Sequence, residues 1–230
     1  MAVERSRSTP ITYFDGEGRK NLASVIKVIR RRLSKDATLR GLKLVILTGY
    51  GEGPARAYNM LEEFEPRIIA VTFPPDYTFK IGDEIYKPQI DPKLKKFFDG
   101  VGIKVLTGRL PFDRIEGMEG HNRDMQLVRN ALTIFGGGVV LCVQAVLQAC
   151  DMGELQIGEQ VIAISGDWAV LATASTTAAA FTRERGFTIG EIFCKPNRFD
   201  LCRIAPISEN APKESAGPVI EGEVVKKLQE

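Results

Sequence analysis

The segment "LVILTGYGEGPARAYNMLEEF", residues 44–64, decides how the rest of the chain is read. Four apolar residues run into Thr48. Gly49, Gly51 and Gly53 follow within five positions, and then Pro54 and a helix-forming stretch. A charge-poor, branched run of this kind is typical of a strand buried on both faces. Pro54 suits the first turn of a helix. A strand that leaves through glycines straight into a helix gathers backbone N–H groups and the positive end of a helix dipole at one point, where an anion such as phosphate binds. The Thr48 hydroxyl, the backbone at Ala55 and the Arg56 side chain lie within reach of that point. G-Y-G-E-G-P lacks the third glycine of the dinucleotide fingerprint, and no P-loop lysine follows. The same glycines also suit a tight strand-to-helix turn that binds nothing.

Worked outward, the pattern repeats. "ITYF" (11–14) predicts a short strand, and Leu22, Val25, Ile26, Ile29 and Leu33 recur at the helical period over 20–34. Strands follow from "KLVILT" (43–48), "RIIAVT" (67–72), "IKVLT" (103–107), "QVIAIS" (160–165) and "GEIFCK" (190–195). Helices are predicted over 54–64, 91–99, 139–151 and 171–184, with Met125, Val128, Leu132 and Phe135 marking the face of another. Strand–helix alternation with apolar strands implies a three-layer α/β/α sandwich around a mostly parallel sheet. One α/β domain over 1–205 and a polar tail over 206–230 are expected.

A net charge of +2 over 230 residues gives no electrostatic footprint for nucleic acid or acidic membrane. Arg30, Arg31 and Arg32 close a helical pattern, where cations complement the dipole. Cys142, Cys150, Cys194 and Cys202 form no CxxC pair and His121 is the single histidine, so no metal is expected. The start lacks the apolar core of a signal peptide, and a cytoplasmic location with reduced thiols is expected. Residues 131–150 carry no charge over a length that would just span a bilayer. The triplet Gly136–Gly138, with Gln144 and Gln148, instead predicts two helices broken at the glycines.

Ligands of open parallel sheets bind outside the carboxyl ends of the strands. Four loops fall on that edge: 48–54, 72–90, 107–122 and 165–172. In the last, Ser165 and Gly166 leave a strand, Thr173, Ser175, Thr176 and Thr177 crowd a predicted helix start, and Trp168 offers a ring for stacking. Capping and ordinary packing account for the same residues. His121, Asp113 and Arg114 are candidates for acid–base or electrostatic catalysis, and Asp76 for a polar contact; surface charge is the alternative for each.

With these residues in view, "LVILTGYGEGPARA" followed by "RIIAVT" resembles the C-terminal α/β domain of pyruvate kinase, whose strand, Thr/Ser-Gly loop and helix bind sugar phosphate. "ITYFDGEGRKN", "LTIFGGGVVLCVQAVLQACDMG", "VIAISG" and "EIFCKP" are similar to a family of stand-alone, uncharacterised prokaryotic proteins with that fold, over about residues 10–197. The resemblance implies a phosphate-bearing ligand, and flavin mononucleotide, which some members carry. Mapped onto this chain, it implies that Thr48, Gly49, Gly51 and Gly53 form the phosphate loop, Ser165 and Gly166 a second loop, and that Asn21 contributes beside the first strand. The chain departs from the family at Phe73, Pro74 and "GRLPF", where members show histidines. It departs again at Leu171–Ala172–Thr173–Ala174, where an aspartate is missing, and at Gln144, usually a glutamate. The expectation is a homo-oligomer that binds a phosphorylated small molecule, flavin mononucleotide or a sugar phosphate. An enzyme acting on such a compound, or a structural or regulatory subunit with a vestigial pocket, are the alternatives.

Overall fold

The computed structural model describes residues 8–81, 84–113, 123–199 and 204–205. The strands β1 (Thr12–Phe14), β2 (Lys43–Leu47), β3 (Ile68–Thr72), β6 (Lys104–Thr107), β7 (Gln160–Ile164), β8 (Ala169–Thr173) and β9 (Thr188–Pro196) form one sheet in the order β1-β9-β8-β7-β2-β3-β6. β8 is antiparallel to both β7 and β9; the other pairs are parallel, so six of the seven strands run the same way. Between β3 and β6, β4 (Phe79–Ile81) and β5 (Glu84–Tyr86) pair into a small antiparallel sheet with β10 (Ile204–Ala205).

Strand alternation distributes the core between two faces. Leu44, Ile46, Ile68, Ala70, Ile162 and Ile164 bury against α1 (Leu22–Lys35), α2 (Glu52–Met60) and α3 (Pro92–Gly100). Val45, Ile69, Val71, Val161 and Ala163 bury against α5 (Gly137–Asp151). Helices thus cover both faces, as expected. α4 (Arg123–Thr133) lies over α5 through Met125, Val128 and Leu132. The uncharged stretch is indeed two helices. Ile134–Gly136 turn between them, with Gly136 at φ 119, and no helix is long and apolar enough to cross a membrane among the described residues.

Four expectations need correction. Residues 171–184 are not a helix. Leu171–Thr173 complete β8, where pairing to β7 and β9 on both sides overrides helix propensity, and the residues after them form loop with one 3-10 turn at Thr177–Ala179. The apolar strand expected at 103–107 is β6, but it lies at the edge of the sheet with Lys104 and Thr107 exposed. Phe135, read as part of an inward helix face, lies beyond the end of α4 and is 56% exposed. The arginine run does more than complement a dipole. Arg30 reaches Glu63 with two hydrogen bonds of 2.9 and 3.2 Å, and buried Arg32 pairs with Glu191 at 2.7 Å, tying α1 to β9. The proposed tail, 206–230, lies outside the described residues.

Candidate functional site

At the carboxyl edge three connections meet: the loop from β1 to α1, the loop from β2 to α2, and the turn from β7 to β8. Asp167 in the turn accepts the N–H of Gly18, 2.7 Å, across the end of the sheet. Gly166 lies so close to Arg19 that a Cβ placed on it would stand 3.1 Å from the Arg19 Cα. Arg19 in turn reaches Glu52, in the first turn of α2, at 3.2 Å, and lies 5.9 Å from the ring centroid of Tyr50. The three loops are therefore one structural unit.

Inside it, the glycines of the opening segment are held by packing. The Gly51 N–H donates to the Thr48 hydroxyl, 2.9 Å, and Gly51 adopts φ 88, which favours glycine. A Cβ on Gly51 would stand 2.6 Å from Cδ2 of Leu94, and one on Gly53 would stand 3.0 Å from Ile46. Gly49 is similarly close to Pro88, at 3.2 Å. Ala55 is buried inward and Arg56 is partly exposed on α2. Thr48 thus accepts one hydrogen bond within the loop and keeps its proton to donate. The amides that open α2 have no intrahelical acceptor.

The turn between β7 and β8 is more closed than expected. Ser165 is buried, faces the Cys142 thiol, and stands 2.8 Å from where a Cβ on Gly138 would be. Burial pushes the Cys142 thiol up, and pushes that of Cys194 up to about 12, so neither is a ready nucleophile. Trp168 is fully buried, its Nε1 3.1 Å from a Cβ placed on Gly136, so it cannot serve as the stacking platform the sequence suggested. Its ring instead lies 5.1 Å from the Lys195 Nζ. Burial raises the Asp167 carboxyl, the Gly18 N–H opposes that rise, and Glu17 adds to it.

Thr173 does not join this place. It pairs with Gln160 and Thr188 at the opposite edge, because the helix expected to begin there is a strand running away from the turn. The neighbouring hydroxyls have structural partners there. Ser175 donates to the Arg185 carbonyl at 2.7 Å, and the Thr177 hydroxyl donates to the Asp151 carboxylate, which also accepts the Thr177 N–H at 2.8 Å. Asn21 closes the first loop by donating to the Gly16 carbonyl, 2.7 Å. Asp113 lies farther along the carboxyl edge, beyond β6, and Asp76 is exposed after β3. His121 and Arg114 lie outside the described residues.

Arg19, Tyr50, Asp167 and Lys195 were missed in the sequence. Arg19 carried a signal, since "DGEGRKN" repeats the strand–glycine–helix design of the opening segment. Asp167 lay in the 165–172 loop and Lys195 at the end of the strand predicted over 190–195, both on this edge, but neither sits in a motif that singles out its side chain. The crevice holds Arg19, Lys20 and Lys195 against Asp15, Glu17, Glu52 and Asp167, so net charge alone would not draw an anion. No family model matches the chain. Among the described residues there is no group of three or more His, Cys, Asp or Glu that could hold a metal ion.

Proposed function

We propose that this protein binds a phosphorylated small molecule, a sugar phosphate or flavin mononucleotide, in the carboxyl-edge crevice between residues 15–21, 48–53 and 165–168. The observation that carries the reading is the mutual contact of these loops at the starts of α1 and α2, with Arg19 exposed between them. Helix-start amides offer hydrogen bonds to phosphate oxygens, and Arg19 offers a fork that exchanges the Glu52 carboxylate for a phosphate. The fit is to the phosphate end. For a planar ring the crevice offers partly exposed Tyr50, since Trp168 is buried.

Native mass spectrometry of the protein as purified would weigh a carried ligand. Titration with flavin mononucleotide, riboflavin and a sugar phosphate then tests the class. The phosphorylated compounds should bind at least tenfold more tightly than riboflavin, about 1.4 kcal/mol, and Arg19→Gln should abolish most of that advantage. Equal affinity for flavin mononucleotide and riboflavin, with no binding of the sugar phosphate, would overturn the reading.

A further inference from the structure

The side of α4 turned away from α5 is a surface that the crevice does not use. Met125, Val128 and Leu132 meet α5, yet no residue of α4 is buried. On the outward side Leu127 and Ala131 follow one another at helical spacing, and Ile134 and Phe135 extend the row just past the helix end. Leu127 is 69% and Ile134 66% exposed, and a contiguous apolar row of this kind marks a contact surface. Arg123 lies one turn before Leu127 on the same side. It is exposed and makes no ion pair among the described residues. A cation in the first turn of a helix opposes the dipole, whereas the last turn of α4, where a cation is favoured, carries none.

We propose that two copies of this chain associate through α4, laid antiparallel across a two-fold axis. Leu127 of each copy packs against Ala131 and Ile134 of the other, and Arg123 of each reaches the last turn and Phe135 of the other. A two-fold interface uses one self-complementary patch twice, so each contact is made twice. Charge selects the antiparallel sense. It carries a cation that is misplaced on its own helix to the negative end of the second helix, and beside an aromatic ring. Small Ala131 lets the helices approach to about 8–10 Å, the usual interaxial distance. Area sets the strength. A helix of 11 residues spans about 16 Å, so the pair covers less than the roughly 800 Å² per partner of a standard interface. The association is therefore reversible, with a dissociation constant on the order of 10 μM.

Sedimentation velocity of the full-length protein over roughly 1–500 μM, which brackets that constant, tests the pairing. The average mass should rise from one chain to two. Leu127→Lys and Ile134→Lys should each raise the dissociation constant tenfold or more, at positions exposed enough that folding does not depend on them. Arg123→Glu separates pairing from folding. It puts an acidic group in the first turn of its own helix, where the dipole favours it, so the melting temperature of dilute protein should hold or rise while dimerisation weakens tenfold or more. Arg31→Glu makes the same charge change on α1, on the other face of the sheet, and should leave the dimer as it is. A chain that stays monomeric throughout, or a dimer indifferent to the α4 variants, overturns the proposal. A dimer broken by Leu127→Lys yet untouched by Arg123→Glu overturns the antiparallel arrangement. A monomer whose melting temperature falls in Leu127→Lys also overturns it, and would place another part of the same chain on this face.

Discussion

Two helices of this protein begin in glycines, and their beginnings are filled by opposite chemistry. At the start of α2, Gly51 is pressed against apolar side chains, Leu94, Phe98 and Ile90 of the α3 region. At the start of α5, Gly138 is pressed against a carboxylate, an indole and a hydroxyl: Oδ1 of Asp167 at 2.3 Å, Trp168 at 2.5 Å and Ser165 at 2.8 Å from an added Cβ. The positive end of α5 is therefore already supplied with the protein's own anion, and that of α2 is supplied with Glu52, which Arg19 can draw away. Glycines before a helix announce close approach. What approaches is decided by elements far away in the chain.

The strongest way to break the comparison is to add one methyl group at each start. Gly138→Ala meets the rigid Trp168 ring and the buried Asp167 together, and should destabilise by about 3 kcal/mol or more. For a domain of this size that lowers the melting temperature by roughly 6–12 °C. Gly137→Ala, one residue away with nothing within 4 Å of its added Cβ, should change the midpoint by less than about 2 °C. Similar losses at both positions would show that the helix start as a whole resists side chains, and that the contacts with Asp167 and Trp168 do not decide.

Gly51→Ala should cost less than Gly138→Ala, about 2 kcal/mol. Its nearest obstacle is the mobile end of Leu94, although φ 88 adds backbone strain. Thr48→Val keeps the shape and removes the acceptor of the Gly51 N–H. A loss of about 1 kcal/mol is expected, with the remaining cost set by whether water reaches the freed amide. Denaturant midpoints at unchanged slope measure both. A Thr48→Val variant as stable as wild type would mean that the hydroxyl is not holding the loop.

Much of the frame could be read from the residues, and the reasons are physical. Strands such as Leu44–Leu47 and Ile68–Val71 are apolar at every position because both faces of the sheet are covered, so period and composition agree. The amphipathic α1 buries Val25, Ile26 and Ile29 at the spacing seen in the sequence. The helix expected over 171–184 failed because alanine and threonine carry no period of their own, and only β7 and β9 on either side make Ala169–Thr173 a strand. That single misreading displaced the candidate site. It put Thr173 at the ligand edge and left Trp168 as an open ring. Thr48, Gly51 and Gly53 were recognised as a strand-to-helix connection, but their tight packing on Leu94 and Ile46 depends on contacts the local sequence does not display.

The subtlest difference between the two helix starts is electrical, and pH should expose it. The Asp167 carboxyl is raised by burial, so its folded form prefers the proton more than the unfolded chain does. A group with a raised folded pKa contributes stability that is fully present below its unfolded value, about 4 for aspartate, and is lost as pH rises through the folded value. Asp113 is raised in the same direction and adds to the same slope. Asp167→Asn retains an acceptor for the Gly18 N–H but cannot ionise, so it should remove only the Asp167 share of the dependence. Wild type should lose stability relative to Asp167→Asn as pH rises from about 4 toward neutrality. Chemical denaturation of the two proteins across this range measures the gap. A gap that does not change with pH would mean that the helix start and the Gly18 amide hold the carboxylate as comfortably as water does, and the two starts would then differ only in shape.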